Sequence, residues 1–581
     1  MDQKHLILKK ELVKFLVEAG INITPQSLEI ILNLETPELS VEQIVKEVSF
    51  LPNFDGALTV EVLQKLSVKE IQKVLKREII KPRPKIDESL HEISKKINQP
   101  ELDNEISEVK SQLFTEELKK NTHVQSYPTS NKIKTTNHKI QINDSAKTQL
   151  HFKSQAKDYE SDFKILKDPT GKLYTNGAYE DFYEMTIDKY DTLKNLMRKR
   201  PEVLSAIDIK RINRLTNNVE ISTMGLVKSI RKTKNDNFFL VLEDLTGEIN
   251  VLINKDIDNK RDLNMIERTL CDQMLYIEGS YNPSNKGKQG IVYVNKFTKI
   301  DIPTDFQPNH ALDPLSIALV SDTHIGSKEF EEPLFRRFIE FLNGKVGNKS
   351  IRSIAEKIKY VIINGDLVDG IGVYPNQFED LLIADIYEQY KKAAELLVEI
   401  PDYIKIFYVS GNHEPVRNAI PRPAVPKQYC QDLYDIDITC LGNPSLINTN
   451  GVNTLIYHGE GMHDLNMLIP DLDINKPVET MKEFLISRHL APVFGEKTQL
   501  APVSKDWLVI DSIPDILHTG HIHINGYGKY RNVSLVNSGC FQAQTDFMRS
   551  FGIVPTIGIA PVIELDTLTP KILDFKKQFV E

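Results

Sequence analysis

Cysteine and long apolar runs are both scarce in this sequence. Four of the 581 residues are cysteines and none of them belongs to a CxxC pair, which argues against a disulfide framework and against a cysteine zinc site. No window approaches the roughly 18 consecutive apolar residues that a membrane span needs. The N-terminal stretch MDQKHLILKK also lacks the apolar segment and cleavage site of a signal peptide. We therefore expect a cytoplasmic protein with no membrane contact.

An excess of positive charge is missing too. The chain has 72 Lys and Arg against 81 Asp and Glu, a net charge of -9. This argues against a protein that coats duplex DNA unaided, because such binding depends on many Lys and Arg contacts to phosphate. A nuclease is not excluded, since metal ions can supply positive charge locally.

The length predicts two to four domains, and shifts in composition divide the chain into five segments. Residues 1–80 predict a small domain of short helices, as in SVEQIVKEV, where Ser40 and Gln43 have the spacing of a capped helix start. Polar composition predicts a flexible linker over 81–160 and a helical or irregular connection over 161–214. Together with the two later segments, 215–305 and 306–581, the pattern predicts a multidomain α+β protein.

Residues 215–305 are rich in strand-forming runs joined by Gly, Asn and Asp turns. The run FFLVLEDLTGEINVLI resembles the second and third strands of an OB-fold, so a small barrel of that type is predicted. Such barrels bind single-stranded nucleic acid through aromatic and basic side chains. The candidates are Phe238, Tyr276, Lys228, Arg231 and Lys234. In the alternative interpretation, the phenylalanines belong to the core, the lysines are only solvated, and the barrel docks a protein.

After Pro314 apolar runs alternate with helical segments, which predicts an α/β domain at 306–581. Five of these runs end in polar side chains that can bind metal, in SDTHIG, NGDLVDG, GNHE, YHGEG and TGHIH. A single Asp after a strand is usually a turn or a helix cap. Five such endings in one domain instead indicate a site at the C-terminal ends of the strands. The set of two carboxylates, one amide and several imidazoles suits Mn, Fe or Zn and not a calcium site.

These five motifs match, in order, those of the calcineurin-like metallophosphoesterases, and the domain resembles that family. The resemblance implies a sandwich of two β-sheets flanked by helices, with a two-metal centre. Carried over by position, it implies that one metal is held by Asp322, His324 and His523, and the other by Asn412, His458 and His521. It also implies that Asp366 bridges the two ions and that His413 donates a proton or stabilises the phosphoryl oxygens.

Elementary chemistry agrees with those roles. Two ions about 3.5–4 Å apart can activate a nucleophile and offset the charge of an in-line displacement. The Asp366 carboxylate has one oxygen for each ion, and a cationic His413 could protonate a leaving oxygen. We expect Asp369, His463 and His518 to support the ligands or to be structural. The role of Glu414 stays open.

Outside the ligands, the segment RHLAPVFGEKTQLAPVSKDWLVIDSIPDILHTGHIHINGYGKY and the later LVNSGCFQAQTDF resemble the small subunits of archaeal D-family DNA polymerases. The resemblance implies a Mn-dependent 3′-to-5′ exodeoxyribonuclease that trims single-stranded or mismatched primer ends to 5′-monophosphates, with Fe or Zn as alternative metals. It also implies a heterodimer with a large polymerase subunit. No ligand position departs from the pattern, whereas eukaryotic relatives have lost the ligands and act as scaffolds.

Two other functions are compatible with the same motifs. One is a scaffold subunit that binds metals without catalysis, although a scaffold has no reason to bury so many unpaired donors. The other is a phosphomonoesterase with an appended barrel. Activity on a phosphate monoester compared with a diester would separate the second from an exonuclease.

Overall fold

The structure is a computed structural model and describes most of the chain after residue 151. In the C-terminal part it covers 152–577 and 579, with gaps at 204, 256–259, 285–288 and 551; in the N-terminal part it covers 12, 15–16, 21–23, 25–32, 34, 37–48, 57–58, 60–66 and 71. The chain divides into two units, Met1–Asp144 and Ser145–Glu581, which are described separately. None of the helices in the described residues has the length and apolar character of a membrane span.

Short elements make up the described part of the N-terminal unit. They are β1 (Asn22–Ile23), α1 (Pro25–Leu32), α2 (Pro37–Val48), β2 (Ala57–Leu58) and α3 (Val60–Lys65). β1 and β2 pair in parallel, and Ile31, Ile44 and Leu63 lie in a shared apolar core. The helix around Ser40 is confirmed, but its predicted start is wrong: α2 begins at Pro37, and buried Ser40 lies inside it. An independent helical domain over 1–80 stays a prediction, and most of 81–160 lies outside the described residues.

A closed five-stranded barrel follows a short strand and two helices. These elements are β3 (Phe163–Lys167), α4 (Tyr179–Arg198), α5 (Ile209–Ile212), β4 (Val219–Lys232), β5 (Phe238–Asp244), β6 (Gly247–Ile253), α6 (Lys260–Glu267), β7 (Met274–Asn282) and β8 (Ile291–Lys299), with 3-10 turns at Ala156–Asp158 and Pro201–Val203. The barrel order is β4-β5-β6-β8-β7, and among its described strands β6 and β8 are the one pair that runs parallel. Gly279 lies at an irregularity in β7, where a Cβ would come within 2.1 Å of the Tyr293 carbonyl oxygen.

The remaining chain forms most of a two-sheet sandwich. Its elements are β9 (Ser316–Val320), α7 (Glu332–Leu342), α8 (Lys349–Ala355), β10 (Ile358–Asn364), a 3-10 turn (Gln377–Asp380), α9 (Ile386–Leu397), β11 (Lys405–Val409), α10 (Lys427–Asp435), β12 (Thr439–Leu441), β13 (Ser445–Thr449), β14 (Val452–Ile456), α11 (Gly461–Leu468), α12 (Pro477–Ser487), β15 (Ile516–Thr519), β16 (Gly526–Tyr530), β17 (Val533–Asn537), α13 (Asp546–Ser550), β18 (Ile559–Glu564) and β19 (Thr569–Asp574).

Two sheets of six strands each, as far as the structure describes the chain, pack face to face. Their orders are β12-β11-β10-β9-β18-β19 and β16-β17-β15-β14-β13-β3. Buried residues from both sheets, such as Leu319 and Ile456, share one core. Apolar residues of α7 and α9 pack on the outer face of the first sheet, and those of α11 and α12 on that of the second. This cover on both faces explains why the central strands are buried along their whole length.

The sandwich begins earlier in the chain than the sequence predicts. β3 pairs antiparallel with β13 as an edge strand, so a strand of the sheet lies in the segment that was predicted to be a helical or irregular connection. The last residues of the predicted linker are also packed: Ala156 is fully buried and its N–H donates to the Glu356 carbonyl at 2.8 Å. The linker prediction is therefore wrong for residues 152–160, and the domain start at 306 omits a strand.

Candidate metal centre

Loops that follow five strands meet at one edge of the sandwich. Strands β9, β10 and β11 are parallel neighbours, as are β14 and β15, so their C-terminal ends lie together. Asp322, Asp366, His458 and His521 each lie two positions beyond the last residue of a strand. Because those strands are buried, packing holds them in place. The position of each strand end therefore determines where the polar side chain that follows it lies.

The backbone at these ends is turned sharply. Five candidate ligands have a φ in the left-handed region, at 51° to 70°, namely Asp322, His324, Asp366, His521 and His523. Non-glycine residues adopt this region rarely, although Asp, Asn and His do so more often than others. The loops hold one another in place, since the Asp322 N–H donates to the Gly365 carbonyl and the His324 N–H to the Asp366 carbonyl, both at 3.0 Å.

One group of donors combines two residues that follow β9 with one that follows β15. Asp322, His324 and His523 offer ligand atoms within 4.8 Å of one another. His324 Nε2 is 3.1 Å from His523 Nε2, and His523 Nε2 is 3.4 Å from Asp322 Oδ1. All three side chains are buried. Among the residues that the structure describes, none is a hydrogen-bond partner of the buried His523 Nδ1.

A second group lies beside the first. Asp366, His458 and His521 also bring ligand atoms within 4.8 Å. His458 Nε2 is 3.2 Å from Asp366 Oδ2 and 3.1 Å from the amide oxygen of Asn412. The same Asp366 oxygen is 3.9 Å from His324 Nε2, a member of the first group. The Asp366 carboxylate therefore belongs to the second group and also lies close to the first.

The donor chemistry fits divalent cations. Buried carboxylates and imidazoles converge here, and Asp322 and Asp366 have ion-pair contacts only with histidines among the described residues. His324 Nδ1 is paired with Asp369 Oδ1 at 2.9 Å, which directs the other ring nitrogen, Nε2, toward His523. His458 Nδ1 is likewise paired with the Asn364 carbonyl at 2.8 Å. Such pairing of one ring nitrogen is typical of metal-binding histidines, because it fixes the tautomer and the ring orientation.

Burial and neighbouring charge set the protonation of these groups. Burial lowers the pKa of His324 and of His521, which favours the neutral imidazole that binds metals. Burial opposes ionisation of Asp366, but the adjacent imidazoles hold the pKa of its carboxyl well below the usual range. For His458 the Asp366 charge outweighs burial and raises the pKa to about 9.

His413 lies at the open side of the centre. Its Nδ1 is 2.7 Å from the Asp369 carbonyl oxygen, and its Nε2 is 4.0 Å from Asp366 Oδ2. The carbonyl oxygen can only accept, so Nδ1 carries a proton and Nε2 is directed toward Asp366. The His413 backbone N–H donates to Asp366 Oδ1 at 3.0 Å, which ties the Asp366 side chain to the loop that carries His413.

Asp369, His463 and His518, which were expected to support the ligands or to be structural, lie in three different places around the centre. Asp369 pairs with His324 as described above. His518 is buried deeper, against the Ser538 hydroxyl at 2.7 Å, and burial lowers its pKa to about 3. The His463 ring is 5.1 Å from the His521 ring and lines the cavity.

Glu414, whose role the sequence leaves open, has a buried carboxylate that accepts hydrogen bonds from the backbone. It accepts from the N–H groups of Asp366, Leu367 and Gly411, and from the Tyr408 hydroxyl at 2.7 Å. Burial, together with the charge of Asp366, raises its pKa to about 7. Glu414 therefore fixes the loops that carry Asp366 and His413.

A cavity of about 590 Å³ opens onto the centre. His324, Asp366, Asn412, His413, His521 and His523 line it, whereas Asp322 and His458 lie deeper. The sequence gives no indication of other lining residues such as Tyr374 and Lys497. No strand or ligand pattern surrounds those positions, so only the fold reveals them.

The barrel candidates have mixed outcomes. Phe238 and Tyr276 are 3% and 0% exposed and lie in apolar cores, so the prediction that they stack on bases is wrong. Lys228 is exposed and pairs with Glu248 and Glu243. Arg231 is exposed and lies 4.6 Å from the Phe239 ring centroid, and Lys234 is exposed as well. A role in DNA binding stays a prediction for these three.

Comparisons with known proteins point in one direction. A profile of the calcineurin-like phosphoesterases matches residues 315–525. The DNA polymerase II small subunit of Methanothermobacter thermautotrophicus is 40% identical over 415 residues, which are 71% of this chain and 83% of that protein. The Pyrococcus furiosus protein of the same name is 39% identical over 401 residues, covering 68% of this chain and 64% of that one. The Methanocaldococcus jannaschii protein, also so named, is 38% identical over 413 residues, 71% and 68% of the two chains.

Proposed function

This chain belongs to the family of DNA polymerase II small subunits, and we propose that its phosphoesterase domain is a metal-dependent 3′-to-5′ exodeoxyribonuclease. In this proposal the domain removes nucleotides from single-stranded DNA ends as 5′-monophosphates and proofreads for a polymerase. The position of Asp366, which belongs to one group of buried donors and lies close to the other, carries the proposal. A centre for two ions is the arrangement that phosphodiester hydrolysis uses.

Seven side chains hold the ions in this proposal. One ion is assigned to Asp322, His324 and His523, the other to Asn412, His458 and His521, and Asp366 is shared. When bound, the two ions activate a water molecule and offset the negative charge that develops on the phosphate. The mixture of imidazole, carboxylate and amide donors supports Mn²⁺, and Fe²⁺ or Zn²⁺ suit the same donors.

His413 supplies the proton in this mechanism. Its Nδ1 proton is held by the Asp369 carbonyl, so the ring presents Nε2 to the cavity beside Asp366. A protonated Nε2 can donate to the leaving 3′ oxygen of the remaining strand, or to a phosphoryl oxygen. Burial on one side and the cavity on the other keep the ring in reach of a bound phosphodiester.

The barrel and a partner subunit complete the proposal. We assign the barrel to the OB type, because its five strands close in an order that places the first strand between the second and the fourth. Lys228, Arg231 and Lys234 are proposed to contact single-stranded DNA on it. We further propose a large catalytic subunit as the partner, and a cytoplasmic location. A phosphomonoesterase is less compatible with the relatives than a subunit of a polymerase.

The test follows a 5′-labelled single-stranded oligonucleotide with Mn²⁺ and the full chain, with the large subunit present. The wild type is expected to give a ladder that shortens from the 3′ end. Asp366→Ala and His413→Ala are expected to lose activity nearly completely, because one removes the shared ligand and the other the proton donor.

Matched controls are available on the surface. Asp402→Ala and His310→Ala change exposed residues outside the centre and should leave the ladder intact. If the wild type leaves the strand uncut with the large subunit present, the exonuclease proposal fails and a scaffold role replaces it. A ladder that persists in Asp366→Ala would mean that the activity comes from another site or a contaminant.

A further inference from the structure

The loop of residues 370–382, here the rim loop, borders the metal centre and has no role in the mechanism above. It follows Asp369 directly, and its Val373 and Tyr374 line the cavity. The rim loop also exposes large apolar side chains, with Phe378 at 69% and Leu382 at 74% exposure.

Hydrogen bonds tie the rim loop rigidly to the metal centre. Gln377 is 1% exposed; its side chain accepts from the Val373 N–H at 2.8 Å and donates to both the carbonyl and the carboxylate of Asp369, at 2.7 and 2.9 Å. That carboxylate in turn pairs with His324. One buried amide therefore connects the loop, through Asp369, to a candidate metal ligand, so the loop is held in place relative to the metal centre.

Tyr374 is held in place within this loop. Its hydroxyl donates to Asp380 Oδ2 at 3.1 Å, and its ring centroid is 6.4 Å from that of His413, with the planes 60° apart. The ring is half-buried in the wall of the cavity, and the proton donor His413 is its neighbour. A ring whose position is already fixed loses little conformational entropy when a ligand stacks on it.

We propose that Tyr374 stacks on the nucleobase next to the scissile phosphate and thereby positions the end of the strand. The proposal rests on the exonuclease function proposed above. Every base has a π-face, so an aromatic ring binds single strands with little dependence on sequence. This suits an enzyme that removes whichever nucleotide occupies the end. In this proposal the metal centre binds only the phosphate, whereas Tyr374 contacts the base, so the two together recognise a nucleotide.

The test compares wild type, Tyr374→Ala and Tyr374→Phe, as full chains with the large subunit and Mn²⁺. The substrates are an oligo-dT and two versions that lack the base at the terminal or the penultimate 3′ position. On the intact strand, Tyr374→Ala is expected to lower kcat/KM about tenfold or more, mainly through KM, while Tyr374→Phe keeps the ring and most of the activity. Tyr183→Ala, an exposed tyrosine on α4, is the control and should match the wild type.

The abasic strands separate stacking from a structural role. At one of the two positions, removing the base should lower wild-type activity to that of Tyr374→Ala, and the two proteins should then be indistinguishable. An equal loss in Tyr374→Ala on all three strands, or no loss at all, would overturn the stacking proposal while leaving the exonuclease intact. Failure of the exonuclease proposal itself is recognised separately, because the wild type would then cut none of the strands.

Discussion

At the scale of single residues, the candidate ligands occupy backbone conformations that cost energy. Left-handed φ values at non-glycine residues typically cost on the order of 1–3 kcal/mol each, and they are maintained only where the surroundings enforce them. Here the enforcing contacts are the hydrogen bonds between neighbouring loops and very close approaches of glycine backbone to ligand side chains. The positions of the donors therefore depend on residues that bind nothing themselves.

Gly411 offers a direct test of that dependence. A Cβ at this position would lie 2.2 Å from Asp366 Oδ1 and 2.7 Å from the Asp366 backbone nitrogen. Because that carboxylate is buried and its Oδ1 is held by the His413 backbone N–H, Gly411→Ala should displace it and weaken Mn²⁺ binding at least about tenfold. Exonuclease activity should fall by at least the same factor. Calorimetric Mn²⁺ titration and the oligonucleotide assay measure the two effects.

A glycine elsewhere shows whether the effect is local. A Cβ at Gly247, in the barrel, would have its nearest neighbours at 3.8 Å, which is ordinary contact. Gly247→Ala should bind Mn²⁺ like the wild type. Equal Mn²⁺ affinity in Gly411→Ala and the wild type would contradict the view that this backbone approach positions Asp366.

The sequence predicts donors better than it predicts stacking residues. A carboxylate or imidazole directly after an apolar strand is informative, because the end of a strand fixes where the side chain lies. Phe238 and Tyr276 show the limit of the method. Tyr276 lies on the outer face of the barrel, yet it is buried because α4 packs there through Tyr190 and Met197. Alternation along a strand distinguishes the two faces but does not reveal whether a helix distant in sequence covers one of them.

At the scale of elements, the last strand of the barrel carries a buried charge at the contact with the sandwich. Lys299, in β8, is 3% exposed, and its ammonium donates to the Arg268 carbonyl at 2.9 Å. Arg268 pairs with Glu483 of α12. Burial lowers the pKa of Lys299 to about 8, although Glu483 and Asp301 act in the opposite direction. At neutral pH Lys299 is therefore still charged, and burying this charge lowers the stability of the folded protein.

The sign of the resulting pH dependence follows from the two pKa values. Below pH 8 both the folded and the unfolded chain carry the charge, so the full cost is present. Between pH 8 and 10.5 the folded state releases its proton first, and the cost falls by up to about 3 kcal/mol. Lys299→Met removes the charge at every pH. We define the difference as the Tm of the variant minus the Tm of the wild type. This difference should be most positive at pH 7 and should decrease toward pH 10.

A lysine on the same strand provides the comparison. Lys296 is 51% exposed and pairs with Glu278 at 3.5 Å. Lys296→Met should show no comparable change between pH 7 and pH 10. A Tm difference for Lys299→Met that is independent of pH would contradict a lowered pKa at that position.

Elements with strong patterns are predictable, and short half-exposed ones are not. β5 and β6 of the barrel lie within the run FFLVLEDLTGEINVLI, and the central strands of the sandwich end at or just before the start of the metal-binding motifs, as predicted. β3 was missed because its five residues, FKILK, form a short run without a clear alternation of apolar and polar residues, and they lie exposed or only partly buried at the edge of the sheet. The start of α2 was missed for another reason. Ser40 has the spacing of a cap, but Pro37 suits the first turn of a helix, where no N–H is needed, and the helix begins there.

At the scale of the whole molecule, metal binding should stabilise one part of the chain selectively. The groups that could hold a metal, within the described residues, all lie in the sandwich. An ion that binds only the folded state, at a free concentration 100 times its Kd, adds about 2.7 kcal/mol to the free energy of unfolding. For a domain of this size that corresponds to a rise in Tm of several degrees. Adding Mn²⁺ after treatment with a chelator should produce this rise, as measured by differential scanning calorimetry.

The Asp366→Ala variant distinguishes this centre from other ion sites. It lacks the shared ligand, so its unfolding transition should move by less than half the wild-type shift. Barrel and N-terminal transitions, where resolved, should stay in place in both proteins. A full shift in Asp366→Ala would show that the stabilising ions bind outside the proposed centre.

The order of the strands along the chain has a further consequence. β3 and β9 belong to the two sheets of one sandwich, and the barrel lies between them in sequence. The barrel is therefore an insertion with two covalent tethers to the same body, and one protease cut in either tether would not release it. A chain shortened to begin at residue 215 would lose β3 and leave the β13 edge without its partner, an edge prone to aggregation.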